Sequence, residues 1–179
     1  MKAIIFTICF LLFGIMAVTS QELQSFKGSN EKIGFKDQNG KEIVTPKYDE
    51  VWKFKEGMCP VNIGFKGTFS NQGKWGYIDH TGKEIIPIKY DAAGNFFEGL
   101  AFVQLNRKYG YIDKSGNIKI PLKYASAEQF KNGMAIVATG ENNVFGTGLK
   151  WGIINNTGKE ILTPKYDKID LALFSESDF

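Results

Sequence analysis

The chain has 179 residues and a formal net charge of +3, from 22 Lys and Arg against 19 Asp and Glu. Arg107 is the only arginine. Readout of phosphates and base edges favours the arginine fork, so this balance argues against a nucleic-acid partner.

The first twenty residues read as a secretory signal peptide. Met1-Lys2 gives a positive start, Ala3 to Ile15 is a short apolar core, and Val18-Thr19-Ser20 offers small residues before Gln21. Such a segment is too short and wrongly flanked for a stable membrane span. An uncleaved N-terminal anchor is the alternative. Cys9 lies inside the apolar core, so it is not placed as a lipoprotein cysteine. Cleavage after Ser20 leaves residues 21–179, about 159 residues (179 − 20), enough for one domain. Losing Lys2 lowers the formal charge to +2 (21 − 19). The expected location is outside the cytoplasm: periplasmic, cell-surface or extracellular. Cys59 is then the one remaining cysteine, so no internal disulfide forms and packing must hold the fold.

From residue 31 onward the chain repeats. Gly34, Gly76, Gly110 and Gly152 set a register. Six residues later stand Gly40, Gly82, Gly116 and Gly158, and eight beyond those Tyr48, Tyr90, Tyr124 and Tyr166. Gly57, Gly99 and Gly133 follow nine residues after the first three tyrosines. Eleven of the twenty glycines therefore sit at repeated positions, which identifies a tandem repeat with copies at about 31–61, 74–103, 108–137 and 150–179.

Within a copy, Trp75, Tyr77 and Asp79 alternate with Gly76 and Ile78, the period of a strand. The turns Asp37-Gln38-Asn39-Gly40, Asp79-His80-Thr81-Gly82, Asp113-Lys114-Ser115-Gly116 and Asn155-Asn156-Thr157-Gly158 suit a type I turn closed by a glycine bulge. A returning strand, Glu84-Ile85-Ile86 in the second copy, is expected to end at Pro46, Pro87, Pro121 or Pro164. The proline shifts by one residue between copies while the tyrosine does not, so the tyrosine is the better anchor. A third short strand is expected at Met58 to Val61, Leu100 to Val103 and Met134 to Val137.

The register glycines are 42, 34 and 42 residues apart. Eight-residue extensions fall in Asn62 to Lys74 and Ala138 to Lys150, where Gly64, Phe69 and Lys74 match Gly140, Phe145 and Lys150. A two-repeat unit of 76 residues (42 + 34) was duplicated, and the two extensions should project from corresponding positions. The end copies are degenerate, as capping repeats are. Ile33 stands where the others carry an aromatic, and the fourth copy runs into Leu171-Ala172-Leu173-Phe174-Ser175 without its third glycine.

The motif Lys74-Trp75-Gly76-Tyr77-Ile78-Asp79, its turn, Gly82-Lys83-Glu84-Ile85-Ile86-Pro87 and Lys89-Tyr90-Asp91 resembles the WG, or KWG, β-repeat family of bacterial proteins. The likeness covers roughly residues 31 to 170; Trp75-Gly76 and Trp151-Gly152 keep the name motif, whereas Tyr109-Gly110 and Ile33-Gly34 depart from it. The resemblance implies short β-strands in tandem, often in exported proteins, with a binding or scaffolding role. It supplies no catalytic residue, cofactor or ligand.

The fold expected is all-β: about twelve short strands, three per repeat, in an open array of hairpins. A closed ring like a small propeller is the alternative, but a blade uses four strands and a 34-residue spacing leaves room for three. No residue set supports catalysis. His80 is the sole histidine and sits in a turn, with no nucleophile or orienting carboxylate in view. Asp37, Asp79 and Asp113 read as turn residues, since calcium needs several acids in one loop. Asn155-Asn156-Thr157 fits a glycosylation acceptor but also the turn. Cys59 aligns with Ala101 and Ala135 and reads as a small core residue; an intermolecular disulfide is the lesser alternative.

Residues that break the repeat are the candidates for binding. Trp52 aligns with Gly94 and Glu128, and Phe65, Phe69 and Phe145 lie in the extensions. Flat rings at such positions can stack on sugar faces or peptide side chains, or pack locally under the loops. The function expected is a non-catalytic exported module binding envelope protein or glycan. A purely structural spacer array is the alternative.

Overall fold

The computed structural model describes residues 22–65, 73–141 and 148–169. The signal segment, Phe69, Phe145 and residues 170–179 lie outside the described residues. Every regular element described is a strand. The first sheet holds β1 (Gln24–Lys27), β2 (Ile33–Lys36) and β3 (Glu42–Tyr48). In the second are β4 (Glu50–Val51), β5 (Met58–Ile63), β6 (Lys74–Asp79) and β7 (Glu84–Tyr90). β8 (Ala92–Ala93), β9 (Leu100–Leu105), β10 (Lys108–Asp113) and β11 (Ile118–Tyr124) make the third. The fourth holds β12 (Ser126–Ala127), β13 (Met134–Gly140), β14 (Leu149–Asn155) and β15 (Glu160–Tyr166). Each sheet is an antiparallel meander in chain order.

The all-β tandem array expected from the repeat is present, with two corrections. First, the described residues form fifteen strands, not about twelve. A two-residue strand after the anchor tyrosine opens each later sheet, so 34 residues hold four strands after all. Second, the sheets straddle the sequence repeats. The third strand of one copy, β5, pairs with the tryptophan strand of the next copy, β6, at Val61↔Gly76 and Asn62↔Trp75. The first sheet draws the equivalent strand from residues 24–27, ahead of the repeats, with Phe26↔Gly34.

Proline does not end the returning strand. In β7 the register jumps from Tyr77↔Ile86 to Trp75↔Tyr90, so four residues of β7 face two of β6. Pro87 sits inside this bulge, where no ladder donor is missed. The bulged backbone lies directly over Gly76. A Cβ there would stand 2.5 Å from the Ile86 carbonyl oxygen and 2.8 Å from the Ile88 nitrogen. Gly110 meets Ile120 O and Leu122 N at the same two distances, and Gly34 and Gly152 meet the equivalent atoms. A proline at the second or third bulge residue is equally free of the ladder, which explains its one-residue shift between copies.

The bulge delivers the tyrosine to the interior. Tyr48, Tyr90 and Tyr124 are fully buried between consecutive sheets. Tyr48 packs with Phe35 and Val44 of its own sheet and Cys59, Val61 and Ile78 of the next. Tyr90 and Tyr124 occupy the same place in the two later cores. Burying each ring contributes about 2 kcal/mol, offset in part at Tyr48 and Tyr124, whose buried hydroxyls have no hydrogen-bond partner among the described residues. The glycine turns lock one sheet onto the previous one: a Cβ on Gly82 would reach Val44 at 2.5 Å, and those on Gly116 and Gly158 would touch Ile86 at 3.4 Å and Ile120 at 3.3 Å. Gly40 has no neighbour within 4 Å. The first turn therefore lacks the partner the other three have, and the array is open.

A rim ladder reinforces this stacking. Glu56-Gly57, Glu98-Gly99 and Asn132-Gly133 all have positive φ, the signature of a type I′ turn, and close small hairpins ahead of β5, β9 and β13. Glu56 accepts a hydrogen bond from the Gly99 amide at 3.1 Å, and Glu98 accepts one from Gly133 at 2.9 Å. Lys114 adds an ion pair to Glu56 at 3.0 Å.

Gly76→Ala forces a methyl into backbone and should cost about 3 kcal/mol. Gly99→Ala meets no atom within 4 Å and strains only φ, so about 1 to 2 kcal/mol is expected. Urea unfolding of both variants checks this ranking.

Candidate binding surface around Trp52

The motif residues are engaged with one another. The lysine two residues before the register glycine pairs with the aspartate after the anchor tyrosine in three copies: Lys32 with Asp49, Lys74 with Asp91 and Lys150 with Asp167. The same carboxylates hold the next loop, Asp49 accepting from the Gly64 amide at 2.7 Å and Asp91 from Asn106 at 2.8 Å. The Lys74 ammonium, then the Asn106 amide, holds the Asp91 carboxyl below its ordinary 3.8 despite partial burial. Turn aspartates are occupied in the same way: Asp79 accepts from the amides of Thr81 at 2.8 Å and Lys83 at 3.1 Å. Asn155 does so in the fourth turn, and His80 is exposed. Among the described residues no three His, Cys, Asp or Glu side chains gather as a metal site, and no helix is long and apolar enough to cross a membrane.

Trp52 leaves β4 with its amide bonded to the Pro60 carbonyl. Its ring stands edge-on to Trp75, with centroids 5.7 Å apart and planes at 73°. It remains 39% exposed, so it is braced but not buried. In the next sheet the corresponding space belongs to Phe102, whose ring would meet a Cβ on Gly94 and which leans on Tyr109 at 6.1 Å. The indole pair thus replaces a Phe–Tyr pair and moves one ring outward. Trp75 is half-buried and forms half of this pair. Trp75 recurs as Trp151, and its nearness to an unrepeated tryptophan across the sheet was not visible in the spacing.

Cys59 completes the local rearrangement. Tyr77 and Tyr111 donate hydroxyl hydrogen bonds to the carbonyls of Gly94 and Glu128, both at 2.7 Å. The first copy has Phe35 at that place, with no hydroxyl. The Cys59 thiol instead donates to the Trp52 carbonyl at 3.0 Å. Burial pushes this thiol up to about 12.

Phe65 lies just beyond β5, half-buried, where the first extension begins. No described ring pair joins it to Trp52. The stems of both extensions leave the same rim of their sheets, between β5 and β6 and between β13 and β14. The third sheet closes that rim with a two-residue turn, Asn106-Arg107, at positive φ. The two extensions thus start and finish at the rim where the third sheet has that short turn, and Phe69 and Phe145 lie outside the described residues. A shallow depression on the first sheet, lined by Phe26, Ser29, Asn30 and Pro46, is a weaker candidate: Asn30 is already bonded to Pro46 and Lys32.

These features define a class: an all-β repeat protein of stacked meander sheets, in which the repeated residues build the frame. The model of the WG containing repeat matches the chain at residues 33–66, 75–109, 109–142 and 151–176, and the protein belongs to the WG repeat family. Neither the curated proteins nor the solved structures compared hold a match to the chain.

A buried thiol of raised pKa should resist modification. Cys59 is expected to react with a thiol reagent at neutral pH only once the fold is opened by denaturant; rapid labelling of the native protein contradicts its placement. The depressed Asp91 carboxyl stabilises the fold above the ordinary 3.8 and loses that effect as acid protonates it. Thermal melts should show Asp91→Asn less stable than wild type at pH 7, with the gap closing below pH 4.

Proposed function

We propose that this protein is an exported, non-catalytic interaction module that binds an envelope glycan or protein through the Trp52–Trp75 pair. One observation carries the reading. Trp52 is large, partly exposed, held in a fixed attitude by Trp75, and unique to one of four otherwise similar copies. A rigid indole presented this way loses little conformational freedom on binding and offers a flat face to a sugar ring or an apolar side chain. The signal-like residues 1–20 support export. The extension that begins at Phe65 leaves the same sheet and can widen the surface.

The regular rim ladder of Glu56 and Glu98 favours one competing reading, a spacer whose copies only set length. Substitution separates the two. Trp52→Ala removes the edge-on pair, about 1 kcal/mol, and the covered part of the ring, about 2 kcal/mol more, so the melting temperature should fall by about 6–12 °C with the fold intact. Retention on a glycan array or in an envelope pull-down should be lost, and so should any ligand-induced change in tryptophan fluorescence. Phe145→Ala tests the extension in the same assays. If wild type retains nothing, or if Trp52→Ala unfolds the protein, the spacer reading wins.

A further inference from the structure

The clasp between lysine, aspartate and loop amide is broken in one copy. Asp49 pairs through Oδ1 with Lys32 and accepts the Gly64 amide on Oδ2. Asp91 does the same with Lys74 and the Asn106 amide, and Asp167 pairs with Lys150. In the third copy Lys108 keeps its place, but Ala125 stands where the others have aspartate.

The backbone around Ala125 is nevertheless built as in the first two copies. The residue after the anchor tyrosine donates its amide to a carbonyl in the next sheet. Asp49 donates to Asn62 at 2.9 Å, Asp91 to Gln104 at 2.8 Å, and Ala125 to Ala138 at 2.8 Å. Two residues past that carbonyl comes the amide that the carboxylate holds: Gly64, then Asn106, and in the third copy Gly140. Gly64 and Gly140 have φ of 96° and 101°, so their amides are presented alike. Lys108 and Gly140 are exposed and Ala125 is half-buried. Arg107, the only arginine, precedes Lys108. Among the described residues neither cation forms an ion pair, although the exposed Glu141 follows Gly140.

We propose that Lys108, the Gly140 amide and Arg107 bind the carboxylate of an acidic sugar, set as Asp49 and Asp91 set their own. One carboxylate oxygen accepts from the Lys108 ammonium and the other from the Gly140 amide, with the Arg107 guanidinium as a second cation. A carboxylate fits because that group fills the same place in two sister copies. The choice of a sugar over an acidic peptide rests on the indole reading. Tyr109, next to Lys108, holds the place of Trp75 one sheet further on, and stacked sheets lie about 10 Å apart. A short oligosaccharide lying on Trp52 and Trp75 therefore reaches Lys108 along one rim. The site is open to water, so it supplies selectivity more than affinity.

Isotope-labelled protein titrated with trigalacturonate tests this. Its methyl ester is the uncharged control, and a blocked triglutamate peptide of equal charge is the peptide control. The acid should shift the Gly140 amide resonance saturably and bind about fivefold tighter than the ester. Triglutamate, lacking a ring to lay on the indoles, should bind about fivefold more weakly than the sugar acid. Ala125→Asp restores the sister carboxylate and should abolish the Gly140 shift with no fall in melting temperature. Lys108→Gln should remove the preference for acid over ester and serves if Ala125→Asp does not fold. Trp52→Ala should keep the Gly140 shift and lose the preference for sugar over peptide. The site is overturned if Gly140 does not respond, if acid and ester bind alike, or if Ala125→Asp binds as wild type does. Its assignment to a sugar is overturned if triglutamate binds as tightly as trigalacturonate. If acid and ester bind alike while Trp52→Ala still abolishes retention, the indole reading stands and this one falls.

Discussion

The contact on which the rest depends is backbone against backbone: the bulged strand lying on the glycine that follows each tryptophan. It leaves no room for a side chain. It also lets four residues of one strand span two of its neighbour, so the tyrosine at the end of the bulge turns into the space between sheets. Core packing, proline tolerance and the fixed distance from glycine to tyrosine all follow. The tyrosine is then closed in by the next sheet, whose turn rests on the residue just before the bulge. Local geometry and the stacking of sheets are one constraint seen at two scales.

Much of this was legible in the sequence because glycine and tyrosine mark places where geometry is strict. Spacing located the turns at Asp79 to Gly82 and its equivalents and the anchor tyrosines; the open array is present, but the count of three strands per repeat that favoured it over a ring is not. Spacing did not show which strands pair. Met58 to Val61 closes its own copy, yet its longer pairing is with the tryptophan strand of the next copy, and no periodicity reports pairing. The two-residue strands such as Ala92–Ala93 are too short for any pattern to register. β1 carries no motif glycine, so its membership in the first sheet rests on pairing alone. Proline was read as a strand end because a bulge that hides its missing donor is invisible in composition.

The surface was half legible. Trp52 stood out as unrepeated, but its brace, Trp75, was hidden by being repeated. Cys59 looked like a plain substitute for alanine. In the structure it replaces the hydroxyl that Phe35 lacks, so three departures from the repeat, at residues 35, 52 and 59, form one local rearrangement. Departures that cluster in space carry more information than departures counted along the chain.

The offset between repeat and sheet has a consequence for how the array comes apart. Among the described residues the first three copies each lend strands to two sheets and the fourth shares its sheet with the third, so no copy can melt without tearing a strand from a sheet it shares. An array whose repeats coincided with its sheets could fray one unit at a time from an end. Here the covalent overlap ties neighbouring sheets into shared cooperative units. The chain gains by stitching what small three- and four-stranded sheets lack alone, a reason to unfold together.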